Sequence, residues 1–383
     1  MKILVWQDHL RNGGTERQAL WLARHFGARG HEVEVLLHRD GGRLFEQVTE
    51  HGLRARVLQP TSTSRDMWAP GLTRIIRECG PCVVLCMGRV ANLYAGWVQL
   101  RCPQAVVVGT VRTGKPLSAL SFWSLKRTRG VIVNSEWWRQ RLLRRGFDPA
   151  KVTTVYNSLL WAESQDEAAW EAERQKMRAA HGLGPDTCVF LKVAGFRRGK
   201  RHRVLIEAFR KLSLDHPELD WQLWLVGEGP EARACQELAR EQKIGARVRF
   251  FGYQARPQAF YAAADAAVSA SKEDSLPNFL VEAQSSALPV VAMDYRGVAE
   301  TFLPDRSGVL IEQGDTTAMV NAVVRLMGNA ALRRQMGQAG AEHARERFAP
   351  VPQADAVLHF LENRVALSQG KDWRPPLAQP DLP

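Results

Sequence analysis

The chain has 383 residues, of which 45% are hydrophobic and 24% charged, the ordinary profile of a soluble globular protein with material for two cores. Lysine and arginine outnumber aspartate and glutamate by 52 − 40, a formal net charge of +12, which favours an anionic partner such as a nucleotide, a nucleic acid or a membrane surface. The opening MKILVWQDH is too short an apolar run for a secretion signal, and no window offers the ~18 uncharged apolar residues of a membrane span, so the expected location is cytoplasmic, at most peripheral on the inner face of the cytoplasmic membrane.

The first half alternates strand and helix. KILVW (2–6) reads as a buried strand, TERQALWLARHFGARG (15–30) as a helix with a glycine stop, and VEVLLH (33–38) as a second strand. Further strands are expected at RARVL (54–58), CVVLCM (82–87), AVVVGTV (105–111), GVIVNS (130–135) and VTTVYN (152–157), with helical stretches between them. From Leu159 to Gly184 the chain turns polar, Ala-rich and helical, the pattern of a connector. The alternation then restarts with CVFLKVAGF (188–196), WQLWLVGEGP (221–230), RVRFFG (247–252), AAVSAS (266–271), PVVAM (289–293) and GVLIE (308–312). A charged helical stretch covers about 329–368, and a Pro-rich end follows, expected to be disordered. Short apolar strands alternating with helices imply α/β architecture: two doubly wound, Rossmann-like domains, each a parallel sheet covered on both faces. Two such domains leave a cleft, and ligands in such sheets sit at the carboxyl ends of the strands.

The six cysteines are expected to be free thiols. ECGPC (78–82) has the spacing of a redox pair, but Cys79 closes a helical segment and Cys82 opens a strand, whereas a redox pair opens a helix. No second ligand pair suggests zinc. No helix-turn-helix, zinc module or RNA-binding signature is present, so nucleic acid is not the expected partner.

EDSLPNFLVEA (273–283) carries the most specific signal. Pro277 suits a helix start, where its missing N–H is no loss. The exposed N–H groups from Leu276 to Asn278, around Pro277, then form an anion site. Asp274 falls in the loop before the helix and Glu282 on its second turn. A phosphate at the helix start with carboxylates on either side suits a nucleotide sugar. The plainer reading is that Asp274 caps the helix and Glu282 is solvated.

The same stretch resembles the E-x7-E motif of the retaining GT-B glycosyltransferases of the group 1 (family 4) type, with Asp274 in the place of the first acid, Glu282 in that of the second, and Glu273 able to substitute for the first. The resemblance runs along most of the chain. RNGGTERQAL (11–20), with Gly13 and Gly14, resembles the glycine loop after the first strand. VNSEWWRQRLLRRGF (133–147) and VYNS (155–158) resemble two further landmarks. VAGFRRGKRHRVLIEAF (193–209) resembles the diphosphate loop and its helix, and WLVGEGP (224–230) the Gly-acid-Gly-Pro turn. There are two departures. Gly195 stands where the family has an arginine, so Arg197 or Arg198 is expected to supply that charge beside Lys200. Arg112 stands where many relatives have a histidine, which puts a general base in doubt there and leaves a cation to orient acceptor or sugar.

The resemblance implies an acceptor-binding domain over 1–165, a nucleotide-sugar-binding domain over 166–345, a helix at 346–370 packing back toward the first domain and a disordered tail at 371–383. It implies sugar transfer from a nucleoside diphosphate to a hydroxyl of a glycan or lipid-linked glycan of lipopolysaccharide or other cell-envelope type, with retention of configuration. Lys200, Asp274, Glu273 and Arg112 are the expected catalytic residues. Gly13, Gly14, Gly195, Arg197, Arg198, Lys200, Leu276, Pro277, Asn278 and Glu282 are expected at the donor. In the absence of an Asp-x-Asp motif, neither a metal nor a cofactor is expected. Trp97, Trp123, Trp137 and Trp138, lying among arginines, suit carbohydrate stacking or a lipid headgroup interface, with an anionic membrane surface as a further partner, while the plainer reading makes about half of them core residues. The competing functions are a nucleotide-sugar epimerase on the same fold, a non-catalytic anion or nucleic-acid binder, and a member of the family that has lost activity.

Overall fold

Short apolar runs become the strands of two all-parallel sheets. In the computed structural model the described residues are 1–11, 13–59, 68–160 and 166–371. The first sheet comprises β1 (Lys2–Gln7), β2 (Glu32–Arg39), β3 (Arg54–Gln59), β4 (Val83–Cys86), β5 (Val106–Val111), β6 (Gly130–Val133) and β7 (Val152–Thr154), in the order β3-β2-β1-β4-β5-β6-β7. Every residue of β4, β5 and β6 is buried, because helices cover both faces and no solvent face remains for a polar alternation. The connecting helices are α1 (Gly14–Ala28), α2 (Glu46–Glu50), α3 (Leu72–Glu78), α4 (Arg89–Arg101), α5 (Ala119–Lys126) and α6 (Glu136–Leu143).

The second sheet follows α7 (Glu167–Ala180) and holds β8 (Cys188–Val193), β9 (Trp221–Val226), β10 (Val248–Phe250), β11 (Ala266–Ser269), β12 (Val290–Met293) and β13 (Gly308–Ile311), in the order β10-β9-β8-β11-β12-β13. Its helices are α8 (His202–Asp215), α9 (Ala232–Glu241), α10 (Gln258–Ala263), α11 (Asn278–Ser285), α12 (Thr316–Met327) and α13 (Ala330–Arg347). The last helix is α14 (Pro350–Ser368).

Residues 1–160 and 350–371 form one compact unit and 166–349 the other. The expected boundary at 165/166 abuts residues 161–165, which lie outside the described residues, as does the expected tail from residue 372 on. α14 belongs to the first unit. Its Ala354, Val357, Leu358 and Leu361 join that core, and Asp355 accepts hydrogen bonds from His25 (2.7 Å) and Arg29 (2.6 Å) of α1.

α7 is a docked helix of the second unit rather than a bare connector. Trp170 and Met177 pack on that unit's core. Arg174 and Arg178 donate to Asp265 at 2.7 and 3.1 Å, and Asp265 also accepts the Val189 amide at 2.8 Å. Polarity on one face of this helix had concealed an anchoring pair of arginines. No described helix is long and apolar enough to cross a membrane.

Both sheets share one topology. The chain steps from β1 outward to β3 and then crosses to β4, and likewise from β8 to β10 and then to β11. The crossings open a crevice beyond the carboxyl ends of β1 and β4, and another beyond β8 and β11. In the second unit this crevice is built by close backbone contact. Gly227 (φ +145°) and Gly229 (φ +151°) press the turn after β9 onto the loop after β8, so that a Cβ at Gly227 would stand 2.2 Å from the Ala194 carbonyl oxygen. The Phe196 amide donates to the Glu228 carbonyl at 2.9 Å across the same contact.

Gly227→Ala is therefore expected to destabilise by roughly 2 kcal/mol or more through overpacking and positive φ. Gly195→Ala, whose Cβ would meet Glu228 at an ordinary 3.4 Å, is expected to cost little. Chemical denaturation of both variants checks this, and equal losses would contradict the packing described.

Candidate active site

The crevice of the second unit collects most of the residues singled out in the sequence. The loop after β8 runs through Gly195, Phe196 and Arg197 into a single 3-10 turn at Arg198–Lys200. Arg197 and Arg198 are exposed, while Lys200 turns inward. The loop after β11 carries Ser271, Glu273 and Asp274, then Leu276 and Pro277, and enters α11 at Asn278. Pro277 is the N-cap residue of α11, one position earlier than expected, and a proline has no side-chain group to cap the helix. Asp274 is thus not a helix cap.

Asp274 serves another purpose. Lys200 Nζ donates to its Oδ1, and Ser271 Oγ donates to Oδ2 at 2.7 Å. The pair is well shielded, with side-chain exposures of 20% for Lys200 and 16% for Asp274. Burial pushes the Asp274 carboxyl up. The opposing pull of Lys200, then Lys192, and the bonds from Lys200 and Ser271 outweigh it and hold the group below the usual aspartate value.

The two loops are tied to each other as well. The Lys272 amide donates to the Gly199 carbonyl at 2.7 Å, and a Cβ at Gly199 would stand 2.5 Å from the Glu273 side chain. Gly199 therefore lets Glu273 lie against the turn. On α11, Glu282 accepts a hydrogen bond from the Tyr261 hydroxyl of α10 at 2.7 Å, which orients the carboxylate.

Several neighbours escaped the sequence reading. Arg201, at φ +53°, donates to Gln313 at 2.6 Å, and Gln313 in turn reaches the Ser271 carbonyl at 3.4 Å. His202, 2% exposed, stacks on Phe196 with ring centroids 4.1 Å apart, and burial pushes its imidazole down to about 3, so it stays neutral. Lys192 is buried inside β8. One signal for it was available: a single lysine inside the otherwise apolar run CVFLKV.

The first unit holds the remaining candidates, beyond the carboxyl ends of its own strands. Gly13 precedes α1 and Gly14 is its first residue. A Cβ at Gly13 would stand 2.2 Å from Glu16 Oε2, so the chain's own carboxylate lies against it. Asp8, after β1, accepts the amides of Val90 (3.0 Å) and Ala91 (3.1 Å) at the start of α4. Arg112 follows β5 and donates to Asn157 Oδ1 at 2.7 Å, and Asn134 lies 3.4 Å from the same oxygen. Burial pushes the Arg112 guanidinium down to about 10, still cationic at neutral pH, and its buried Nε has no hydrogen-bond partner.

The four tryptophans divide evenly. Trp97 and Trp123 are exposed, at 37% and 39%, with Arg101 and Arg127 over their rings at 5.9 and 4.0 Å. Trp138 is core and donates to the Thr113 carbonyl at 2.7 Å, while Trp137 is half-buried against it. Cys82 is buried, with its thiol pushed up to about 12, which does not suit redox work. An open depression of about 830 Å³ lies at the amino-terminal edge of the first sheet, near Lys2, His31, Glu34 and Arg56, and none of the candidate residues lines it.

Removing Lys200 tests the charge arrangement. A carboxyl held below its unfolded value adds stability that is present above that unfolded value, near pH 4, and is lost as pH falls through the folded one. Lys200→Met is therefore expected to destabilise most at neutral pH, by up to about 3–5 kcal/mol for one partner of a buried pair and less to the extent that Lys192 compensates. The deficit is expected to shrink as pH falls below about 4, through the lowered value at which Asp274 takes up a proton in the parent protein. Denaturation midpoints across that range give the answer, and a pH-independent deficit would contradict the pairing.

The family model for glycosyl transferases group 1 matches residues 173–343, and that for Glycosyltransferase Family 4 matches residues 12–159. The N-acetyl-alpha-D-glucosaminyl L-malate synthase of Bacillus anthracis is 27% identical over 197 residues, 51% of this chain and 50% of the relative. The lipopolysaccharide core biosynthesis glycosyltransferase LpsD of Rhizobium meliloti is 29% identical over 181 residues, 47% of this chain and 51% of the relative. The chain thus spans about half the length of these curated relatives. Among solved structures, HepE of Anabaena, determined in complex with UDP, superposes with a TM-score of 0.81 at 18% identity, covering 94% of this chain and 100% of that one. The fold is that of the GT-B glycosyltransferases. The two family models together span most of the chain, the Lys200–Asp274 pair lies inside one of them, and the chain belongs to the group 1, family 4 glycosyltransferases.

Proposed function

We propose that this protein transfers a sugar from a nucleoside diphosphate to a hydroxyl of a glycan or lipid-linked glycan of the cell envelope, with retention of anomeric configuration. The observation that carries the reading is the shielded Lys200–Asp274 pair at the crossing between β8 and β11, with exposed arginines beside it. It supports a site where a diphosphate meets cations and a sugar meets a carboxylate. LpsD is named for lipopolysaccharide core biosynthesis and HepE was solved with UDP, which favour a cell-envelope acceptor and a nucleotide donor.

In this reading the bond from the anomeric carbon to the diphosphate oxygen breaks, and the negative charge grows on the leaving group. Lys200, with Arg197 or Arg198 and the amides around Asn278, meets that charge. No metal or cofactor is assigned a part, because these side chains supply the cations. Asp274 and Glu273 face the sugar, and Glu282, oriented by Tyr261, takes the ribose hydroxyls. Arg112 lies on the acceptor side as a cation. The acceptor proton passes to the leaving phosphate on the same face of the sugar.

The first unit is assigned the acceptor, and its exposed Trp97 and Trp123 with Arg101 and Arg127 suit the headgroup region of an anionic membrane. Such an enzyme works on the cytoplasmic side, peripheral to the inner face.

A thermal-shift panel of UDP, GDP, ADP, CMP and their sugars is expected to single out one base, since a ligand bound only to the native state raises the melting temperature. With that donor, Asp274→Ala combined with Glu282→Ala is expected to abolish turnover. Lys200→Met is expected to lower kcat by about tenfold to more than a hundredfold, the worth of one charge-assisted hydrogen bond gained at the transition state. Activity is expected to survive EDTA. A double variant as active as the parent would overturn the site, and epimerised sugar from donor alone would replace transfer with epimerisation.

For the membrane contact, the protein is expected to sediment with anionic liposomes at low salt. Replacing Trp97 and Trp123 by serine is expected to release it, and failure of the parent protein to sediment would remove the membrane from the account.

A further inference from the structure

Below the Lys200–Asp274 pair lies a second lysine that the proposed reaction leaves without a task. Lys192, in β8, is 1% exposed. Its Nζ donates to Ser269 Oγ on β11 at 2.7 Å and stands 4.8 Å from the centre of the Phe279 ring on α11. Among the described residues, no carboxylate is in ion-pair contact with it. A hydroxyl and a ring replace little of the water that an ammonium loses on burial. Such a lysine is ordinarily excluded from a core unless it is paired.

The groups that face it come from five segments. Ser269 is on β11, Phe279 on α11 and Lys200 in the 3-10 turn, and His202 at the start of α8 remains neutral. Asp274, in the loop after β11, is the acid whose field it feels. Burial pushes the Lys192 amine down to about 7; Asp274 opposes the shift and Lys200 adds to it. Protonation of Lys192 therefore depends on how fully Lys200 neutralises Asp274. An arriving diphosphate competes with Asp274 for Lys200 and adds negative charge of its own.

We propose that Lys192 is a proton-linked positioning residue of the donor site: it takes a proton from solvent when a nucleoside diphosphate engages Lys200, and the ammonium so formed keeps Asp274 ionised and in place. The inference rests on the donor site proposed above. The proton comes from water or buffer onto the amine lone pair, and no covalent bond breaks.

Isothermal titration with UDP, GDP and ADP in buffers of different ionisation enthalpy reads the protons exchanged on binding. At about pH 8 a terminal phosphate, with a second pKa of about 6, is already ionised, so uptake there belongs to the protein. The wild-type protein is expected to take up a substantial fraction of one proton, and its affinity is expected to fall as pH rises through the range where the amine loses its charge. Lys192→Met is expected to bind with no uptake and a flat pH dependence while remaining folded by melting, a change that a purely structural lysine would not produce.

Should that variant not fold, Ser269→Ala removes the hydroxyl that stabilises the ammonium and is expected to move the wild-type pH profile to lower pH. Binding without proton uptake by the wild-type protein, or equal uptake by Lys192→Met, overturns the role of Lys192 and leaves the donor site standing. An absence of heat and of melting shift with every nucleotide overturns the donor site, and this inference with it.

Discussion

The charge balance around Asp274 is the constraint on which the second unit turns. One shielded carboxylate lies in the field of two lysines, Lys200 in direct contact and Lys192 beneath. Removing charges from water is costly, and two cations brought together there repel each other. The carboxylate relieves this, and the lower lysine relieves it further by holding its proton loosely. The site is thus close to neutral in its depth while Arg197 and Arg198 remain at its rim. That arrangement favours an anion that brings its own charge to the rim and alters the partnership below.

The two units share a strand order but use their crevices differently. In the first unit the positions where a helix start would greet a phosphate are held by the chain's own acids: Asp8 on the amides that open α4, and Glu16 against Gly13. In the second unit the carboxylate nearest the start of α11, Asp274, is turned away to Lys200 and Ser271. A helix dipole already satisfied by a covalently attached acid has less to offer a mobile anion. This difference, more than any difference in topology, separates the unit proposed to bind the diphosphate from its twin.

The fold was legible because parallel strands covered on both faces must be apolar throughout. Each expected strand segment coincides with one of the thirteen strands of the two sheets, from KILVW at the start to GVLIE near the end. The acid pair 274/282 was legible because a loop, a proline and an apolar helix have recognisable chemistry in sequence order. What escaped was set by contacts distant in sequence. Arg174 and Arg178 read as part of a polar connector until Asp265, some ninety positions on, is placed against them. Lys192 read as one polar letter in a strand, and only its neighbours Ser269, Asp274 and Phe279 give it meaning. Strand pairing positions the first of these and the loop after β11 the second, and neither has a local signature.

In the proposed reaction, Arg112 bears on the proton of the acceptor hydroxyl. A guanidinium that burial lowers only to about 10 keeps its charge at neutral pH, so it cannot accept a proton as a histidine in that place could. Its contact with Asn157 fixes it, and its unpartnered Nε–H is a donor available to an oxygen. A donor there can orient or polarise a hydroxyl, but the proton must still go to a base elsewhere. Among the groups the proposed reaction brings together, the diphosphate oxygen is the one that gains basicity as the bond to the sugar breaks. A cation in place of a base therefore fits departure-driven transfer, in which the leaving group itself completes the proton's path.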